Sequence, residues 1–241
     1  ECDSLDVVNP ATGTVLASVA SGRREDAIAA IDAAERALAD WSARTAKERS
    51  TLIRRWHDLI VENVDDLARI LTAEQGKPIA EARGEILFGA AFFEWFAEEA
   101  KRVYGETIPA PNSDQRLLVL RQPFGVCAAI TPWNFPMAMI PRKAAPALAV
   151  GCTMVLKPAS ATPLSALALA ELANRAGIPP GVFSVVPGAA SLIGDELISN
   201  PKVRKVTFTG STEVGSMLMA KAAGTIKKVS LELGGNAPVL I

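Results

Sequence analysis

The sequence predicts an α/β domain built on a parallel, doubly wound sheet, and three observations carry that prediction. From Pro123 onward, apolar runs rich in β-branched residues alternate with amphipathic segments, the alternation from which parallel sheets are built. The run Gly125-Val126-Cys127-Ala128-Ala129-Ile130 is apolar throughout, as suits a strand covered on both faces, and Pro132 stops it because proline cannot donate to a ladder. Hydrophobic residues make up 49% of the 241 positions and charged residues 21%, enough for one sizeable α/β domain or two small ones.

The elements follow in order. Residues 8–20 read as two short strands around a Pro/Gly turn. Ala27, Ile28, Ile31, Ala34, Leu38 and Trp41 recur at three/four spacing and predict a helix over Asp26–Trp41. A single stripe from Leu52 through Trp56, Ile60, Val64 and Leu67 to Leu71 predicts one long helix ended by Gly76-Lys77-Pro78. A third helix is expected over Ile79–Tyr104, with Phe92, Phe93, Trp95 and Phe96 as core. Residues 105–122 turn to Gly, Pro, Asn and Asp around Leu117-Leu118-Val119-Leu120, the composition of a hairpin arm leaving the body. Strands are then expected at Val126–Ile130, Thr153–Lys157, Val182–Val186, Val203–Thr207 and Lys228–Leu233. The helices between them are near Met137–Val150, from Thr162 (N-cap) and Pro163 to Gly177, near Ala190–Ser199, and from Ser211 onward.

Several function classes fall away on composition. A net charge of −1 gives no footprint for nucleic acid, and no Lys/Arg run suggests an anionic membrane. The longest nearly uncharged stretch, Ala144–Leu156, is too short to span a bilayer. His57 is the one histidine and cannot build a metal site, so it reads as a solvated surface residue beside Asp58. Cys2, Cys127 and Cys152 form no disulfide framework or metal spacing, and none has a neighbour in sequence that would lower its pKa. A cytoplasmic protein is the default expectation. The closing run Ala237–Ile241 is apolar and ends without a cap, and reads as a buried strand cut short.

Chemistry concentrates where strands end. In Thr131-Pro132-Trp133-Asn134-Phe135-Pro136 an Asn amide sits between aromatics and stiffening prolines, a preorganised neutral donor suited to an oxyanion. The plainer alternative is a Pro-rich turn in which Asn134 satisfies its own backbone. Phe208-Thr209-Gly210-Ser211-Thr212-Glu213-Val214-Gly215 lies between strand and helix, where a dinucleotide fingerprint belongs, with Thr212 replacing the middle glycine. That replacement predicts a phosphate pose that uses the helix N-terminus and the Ser211 hydroxyl. Arg142 enters an otherwise apolar helical segment eight residues after Asn134, and arginine is the side chain best shaped to grip a carboxylate.

Pro-Trp-Asn-Phe-Pro at 132–136, Lys157-Pro158-Ala159, Phe208-Thr209-Gly210-Ser211-Thr212 and Leu231-Glu232-Leu233-Gly234-Gly235 occur in the order found in the aldehyde dehydrogenase superfamily. The chain resembles that superfamily along essentially its whole length, and looks most similar to its NADP-dependent succinate-semialdehyde dehydrogenases. The resemblance implies a Rossmann-like NAD(P)-binding domain with N-terminal helices over residues 1–241, incomplete, with 105–122 as an oligomerisation arm and the catalytic cysteine domain downstream. It makes Asn134 the oxyanion donor and Glu232 the general base, followed by two glycines that give its side chain room. Cofactor contacts are implied for Trp133, Lys157, Ala159, Ser160, Gly194, Gly210, Ser211 and Leu233. Relatives that prefer NAD commonly carry Glu at the Ser160 position, so a neutral Ser160 beside Lys157 predicts NADP, with NAD possible. Arg142 is implied to bind the carboxylate of succinate semialdehyde, or of glutarate semialdehyde or another ω-carboxylated aldehyde. The family nucleophile is a cysteine thiolate downstream of Glu232 that forms a thiohemiacetal. The chain itself is therefore expected to bind cofactor without turnover, and a non-catalytic nucleotide-binding fragment remains an alternative. The parent enzyme is expected to be a homo-oligomer acting on a small aldehyde.

Overall fold

The structure, a computed structural model, describes residues 3–239. Cys2 lies outside the described residues, as does the end of the closing apolar run. An N-terminal hairpin, β1 (Ser4–Val8) and β2 (Val15–Ala20), leads into α1 (Arg24–Ala43), α2 (Ala46–Glu62), α3 (Val64–Gln75) and α4 (Ile79–Glu99). A second hairpin, β3 (Glu106–Ile108) and β4 (Leu117–Val119), precedes the alternating part. That part runs β5 (Val126–Ile130), α5 (Pro141–Ala149), β6 (Thr153–Lys157), α6 (Leu164–Ala176), β7 (Phe183–Val185), α7 (Asp195–Ser199), β8 (Val203–Thr209), α8 (Thr212–Ala223) and β9 (Lys228–Glu232).

Strands β5 to β9 form one parallel sheet in the order β7-β6-β5-β8-β9. Consecutive residues of β5 face opposite ways, so each face of the strand is committed to a different core. Cys127 and Ala129, with Met154 and Leu156 of β6, pack under α2 to α6 around Trp56, Ile86 and Phe93. Val126 and Ala128, with Val155 and Val206, pack under α1, α7 and α8 around Ile31, Ile193 and Leu218. Helices on both faces make the sheet doubly wound, as the alternation predicts. The chain order reverses between β5 and β8, and that crevice, at the carboxyl ends of the strands, is where such sheets hold ligands.

Several expectations need correction. The long helix through Leu71 is two helices, broken at Asn63, whose side-chain amide donates to the Leu59 carbonyl at 2.7 Å while Asp65 and Asp66 begin a new first turn. The first hairpin starts at Ser4 rather than residue 8, because Asp6 and Ser18 pair across it. Of the four α4 aromatics only Phe93 is buried, stacked on Trp56 at 4.2 Å, whereas Trp95 is 64% exposed. His57 is not freely solvated: its side chain is 14% exposed and its Nδ1 bonds Asp58 at 2.8 Å.

Thr162 does not cap α6, which starts later, and its hydroxyl is buried without a partner among the described residues. The cap comes from Glu74 of α3, whose carboxylate accepts from the N–H groups of Leu164 (2.7 Å) and Ser165 (2.8 Å). Residues 237–239 form no strand, and Val239 is exposed, since among the described residues no neighbouring strand covers them. Gly76 and Gly177 end their helices in the left-handed conformation, at φ 92° and 86°.

Candidate active site and nucleotide cleft

Strand register brings the predicted groups to one edge. Lys157, Ile130, Phe208 and Leu231 form a single row across β6, β5, β8 and β9. Just past that row lie the Asn134 loop, the Gly210–Ser211 turn and Glu232. Asn134 lies in the loop that follows β5 and Glu232 ends β9, strands separated by β8 alone.

The Asn134 loop is held from below. Glu85, buried on α4, accepts from the N–H groups of Met137 (2.9 Å) and Ala138 (3.1 Å) and pairs with Lys77. Lys77 Nζ in turn donates to the Asn134 carbonyl at 3.0 Å and lies 4.1 Å from the Phe135 ring centre. The helix expected near Met137 therefore begins only at Pro141, after a turn anchored by a carboxylate. Asn134 Oδ1 accepts from the Phe135 N–H at 3.1 Å, so the amide does satisfy neighbouring backbone. That bond uses the acceptor only and leaves the Nδ2 donors without a partner among the described residues.

Glu232 and Arg142 meet directly. Arg142 is the second residue of α5, and its Nη2 lies 3.3 Å from Glu232 Oε1, with side chains 42% and 57% exposed. They line a cavity of about 310 Å³ together with Lys143, Thr207, Lys205, Cys127 and Cys152. Lys143, absent from the predicted set, is buried and donates to the hydroxyls of Thr207 (3.2 Å) and Thr209 (2.8 Å). Burial lowers its pKa to about 8, against the raising effect of Glu232 and with the lowering effect of Arg142. The signal that marks it is positional: Lys143 falls on the stripe of Ile140, Ala144 and Leu148, where a charge has no place unless a site needs it.

The cysteines also differ from expectation. Cys127 and Cys152 are free thiols close enough to influence one another: the interaction, with burial, pushes the Cys127 thiol up, and it pulls the Cys152 thiol down against the effect of burial, aided by the backbone at Gly125 and Phe124 and by Lys205. Both are almost wholly buried, 2% and 1% exposed.

On the cofactor side, Lys157 is 3% exposed and burial lowers its pKa; its Nζ has one partner among the described residues, the Pro158 carbonyl at 2.8 Å. A buried ammonium with unused donors at a strand end fits a site that accepts ribose hydroxyls or phosphate. Ser160 Oγ donates to the Gly188 carbonyl at 3.1 Å, so its contribution there is the absence of charge more than a donor. Trp133, 60% exposed, and Ser160 line a shared cavity of about 440 Å³, and Ala159 lies half-buried beside it. Ser211 is the N-cap of α8, accepting from Val214 N–H at 3.3 Å, and Gly210 N–H donates to the Glu232 carbonyl at 3.1 Å. A Cβ at Gly215 would meet Leu233 Cδ2 at 2.4 Å, so this glycine seats α8 on the segment after β9. Gly194 ends a π-helical turn before α7 and is buried near Ile130, and none of the cavities lined by the other site residues includes it.

Fold and site together define a doubly wound α/β domain that carries a carboxylate, an arginine and a fixed amide at its switch point. The whole sequence, residues 1–241, matches the profile of the aldehyde dehydrogenase family, and the chain belongs to that family. It is 64% identical over 239 residues to the NADP(+) succinate-semialdehyde dehydrogenase of Escherichia coli, covering 99% of this chain and 50% of that protein. It is 65% identical over 238 residues to the glutarate-semialdehyde dehydrogenase of Pseudomonas aeruginosa, covering 99% and 49%. The crystal structure of an NADP-dependent E. coli enzyme superposes with a TM-score of 0.97 at 65% identity, over 98% of this chain and 49% of that one. The chain thus spans about half the length of the relatives it matches. Among the described residues no helix is long and apolar enough to cross a membrane and no metal-binding cluster occurs.

Proposed function

We propose that this chain is the cofactor-binding portion of an NADP-dependent dehydrogenase that oxidises succinate semialdehyde to succinate, with glutarate semialdehyde as the alternative substrate. The observation that carries the reading is Arg142 beside Glu232 in the lining of one cavity, an anion-binding group within reach of a proton acceptor. Both relatives are named for aldehydes that end in a carboxylate, which is the group a guanidinium grips. In this reading Asn134 Nδ2 donates to the oxyanion, Glu232 takes the proton of the attacking water, and Lys143, titrating near pH 8, stores or returns that proton. The nicotinamide, when bound, supplies the hydride acceptor. Lys157, Ser160, Ala159, Trp133, Gly194, Gly210, Ser211 and Leu233 would hold the nucleotide. The nucleophile would be supplied by a cysteine outside residues 1–241, and the β3–β4 arm, whose Leu118 and Leu120 are 69% and 78% exposed, would pair with a second copy.

Calorimetric titration of the chain with NADP and with NAD tests the cofactor assignment. Tighter NADP binding is expected, and Ser160→Glu is expected to weaken NADP at least about fivefold while leaving NAD little changed, as placing like charges about 4 Å apart costs at least about 1 kcal/mol and more in a cleft. Equal losses for both cofactors would refute the assignment. Turnover of succinate semialdehyde by the chain alone would refute the view that its nucleophile lies elsewhere.

A further inference from the structure

We propose that Glu232 occupies, in the ligand-free chain, the seat that Arg142 offers to the carboxylate of the substrate, so that an incoming carboxylate frees the base by displacing it. This rests on the reading above and adds an internal competitor to it. The Arg142–Glu232 contact is a single Nη2–Oε1 approach of 3.3 Å, and the other guanidinium donors have no partner among the described residues. A glutamate side chain and an ω-carboxylate present the same group to a guanidinium, so the two must compete for it. The Glu232 side chain is itself 57% exposed, and beyond Leu233, which packs on Gly215, the backbone is open: a Cβ at Gly235 would meet nothing within 4 Å, and one at Gly234 only Thr212 Oγ1 at 3.6 Å. The carboxylate can therefore leave Arg142 without disturbing a packed neighbour. It also has a cation to move toward, since Lys143 lines the same cavity.

The arrangement selects substrates twice with one arginine. An aldehyde with a terminal carboxylate gains the Arg142 contact and releases Glu232 for proton transfer. A neutral aldehyde gains no contact and leaves Glu232 engaged. Because the pair is half-exposed and singly bonded, the competition is worth only a few-fold in apparent affinity.

The test is a succinate titration of the chain at physiological salt, followed by NMR of ¹⁵N-labelled arginine side chains, with NADP titrated separately into each variant. Succinate is expected to shift the Arg142 Nε resonance in the wild type, and Arg142→Met to abolish binding. Glu232→Gln is expected to tighten succinate about 2- to 5-fold. Glu232→Asp keeps the charge but shortens the reach, and the same tightening is expected there. Unchanged affinity in Glu232→Gln overturns the proposal, as does tightening in Glu232→Gln without tightening in Glu232→Asp, which would mark a diffuse field effect. NADP binding by the same proteins reports on the dehydrogenase reading independently. Normal NADP affinity without any Arg142 response to succinate overturns the seat and leaves the cofactor assignment standing.

Discussion

Glu85→Ala is expected to lower the unfolding free energy by about 3–5 kcal/mol, the largest single effect among these residues. The residue is 4% exposed and accepts from two backbone N–H groups and from Lys77, whose side chain is itself only 10% exposed. Truncation leaves an ammonium and two amides in a place that water reaches poorly. Each stranded amide alone costs about 1–3 kcal/mol. Urea unfolding of wild type, Glu85→Ala and Glu85→Gln checks this, with the glutamine variant expected between the other two because it can still accept one N–H. A loss below about 1 kcal/mol in Glu85→Ala would mean that the turn before α5 is held by packing alone. The same network carries the Asn134 carbonyl, so the loss falls on the loop that presents the candidate oxyanion donor.

The second large effect depends on pH. Burial holds Lys143 at about 8, against an ordinary lysine value of about 10.4. Below pH 8 the amine is charged in both folded and unfolded chains, and burying that charge costs about 3 kcal/mol relative to a lysine in water. Between pH 8 and 10.4 the unfolded chain holds the proton and the folded one does not, so this group makes stability rise with pH. Lys143→Met is therefore expected to be more stable than wild type at pH 7, by about 1–3 kcal/mol after the loss of the two threonine bonds. The difference should move by about 3 kcal/mol in favour of the wild type by pH 10.4, closing the gap or reversing its sign. Lys227, also near 8, is common to both proteins and cancels. Parallel stability curves from pH 7 to 10 would show that Lys143 is not depressed and could not act as a proton store near neutrality.

What the sequence made legible, and what it hid, divides along one physical line. Periodicity and helix punctuation located the sheet, its parallel sense and both wound faces, because burial and backbone geometry leave local marks at Pro132, Gly177 and Ser211. The family resemblance, not periodicity, picked out Asn134, Lys157, Gly210 and Glu232, and with Arg142 the structure places them at or beyond strand ends and helix starts. Charges bonded across the fold were not legible. Glu74, Glu85 and Lys143 were passed over as ordinary polar residues, yet each is less than 7% exposed and each bonds a partner far along the chain. Their trace is a charge on an apolar stripe, as with Glu85 between Ala82, Ile86 and Gly89. The Cys127–Cys152 pair was hidden in the same way, because 25 residues separate two thiols that adjacent strands bring together.

The carboxylate of Glu74, already described as the cap of α6, also bears on the order in which the molecule assembles. It closes hydrogen bonds across 90 residues, so the start of α6 cannot be satisfied until the helical layer made earlier in synthesis is in position. Long-range closure of this kind slows folding but joins its two ends into one cooperative unit. The amides of Leu164 and Ser165 should then lose their protection from hydrogen exchange together with α3, and not with the rest of α6. The parallel sheet would be released only when the N-terminal helices let go of it.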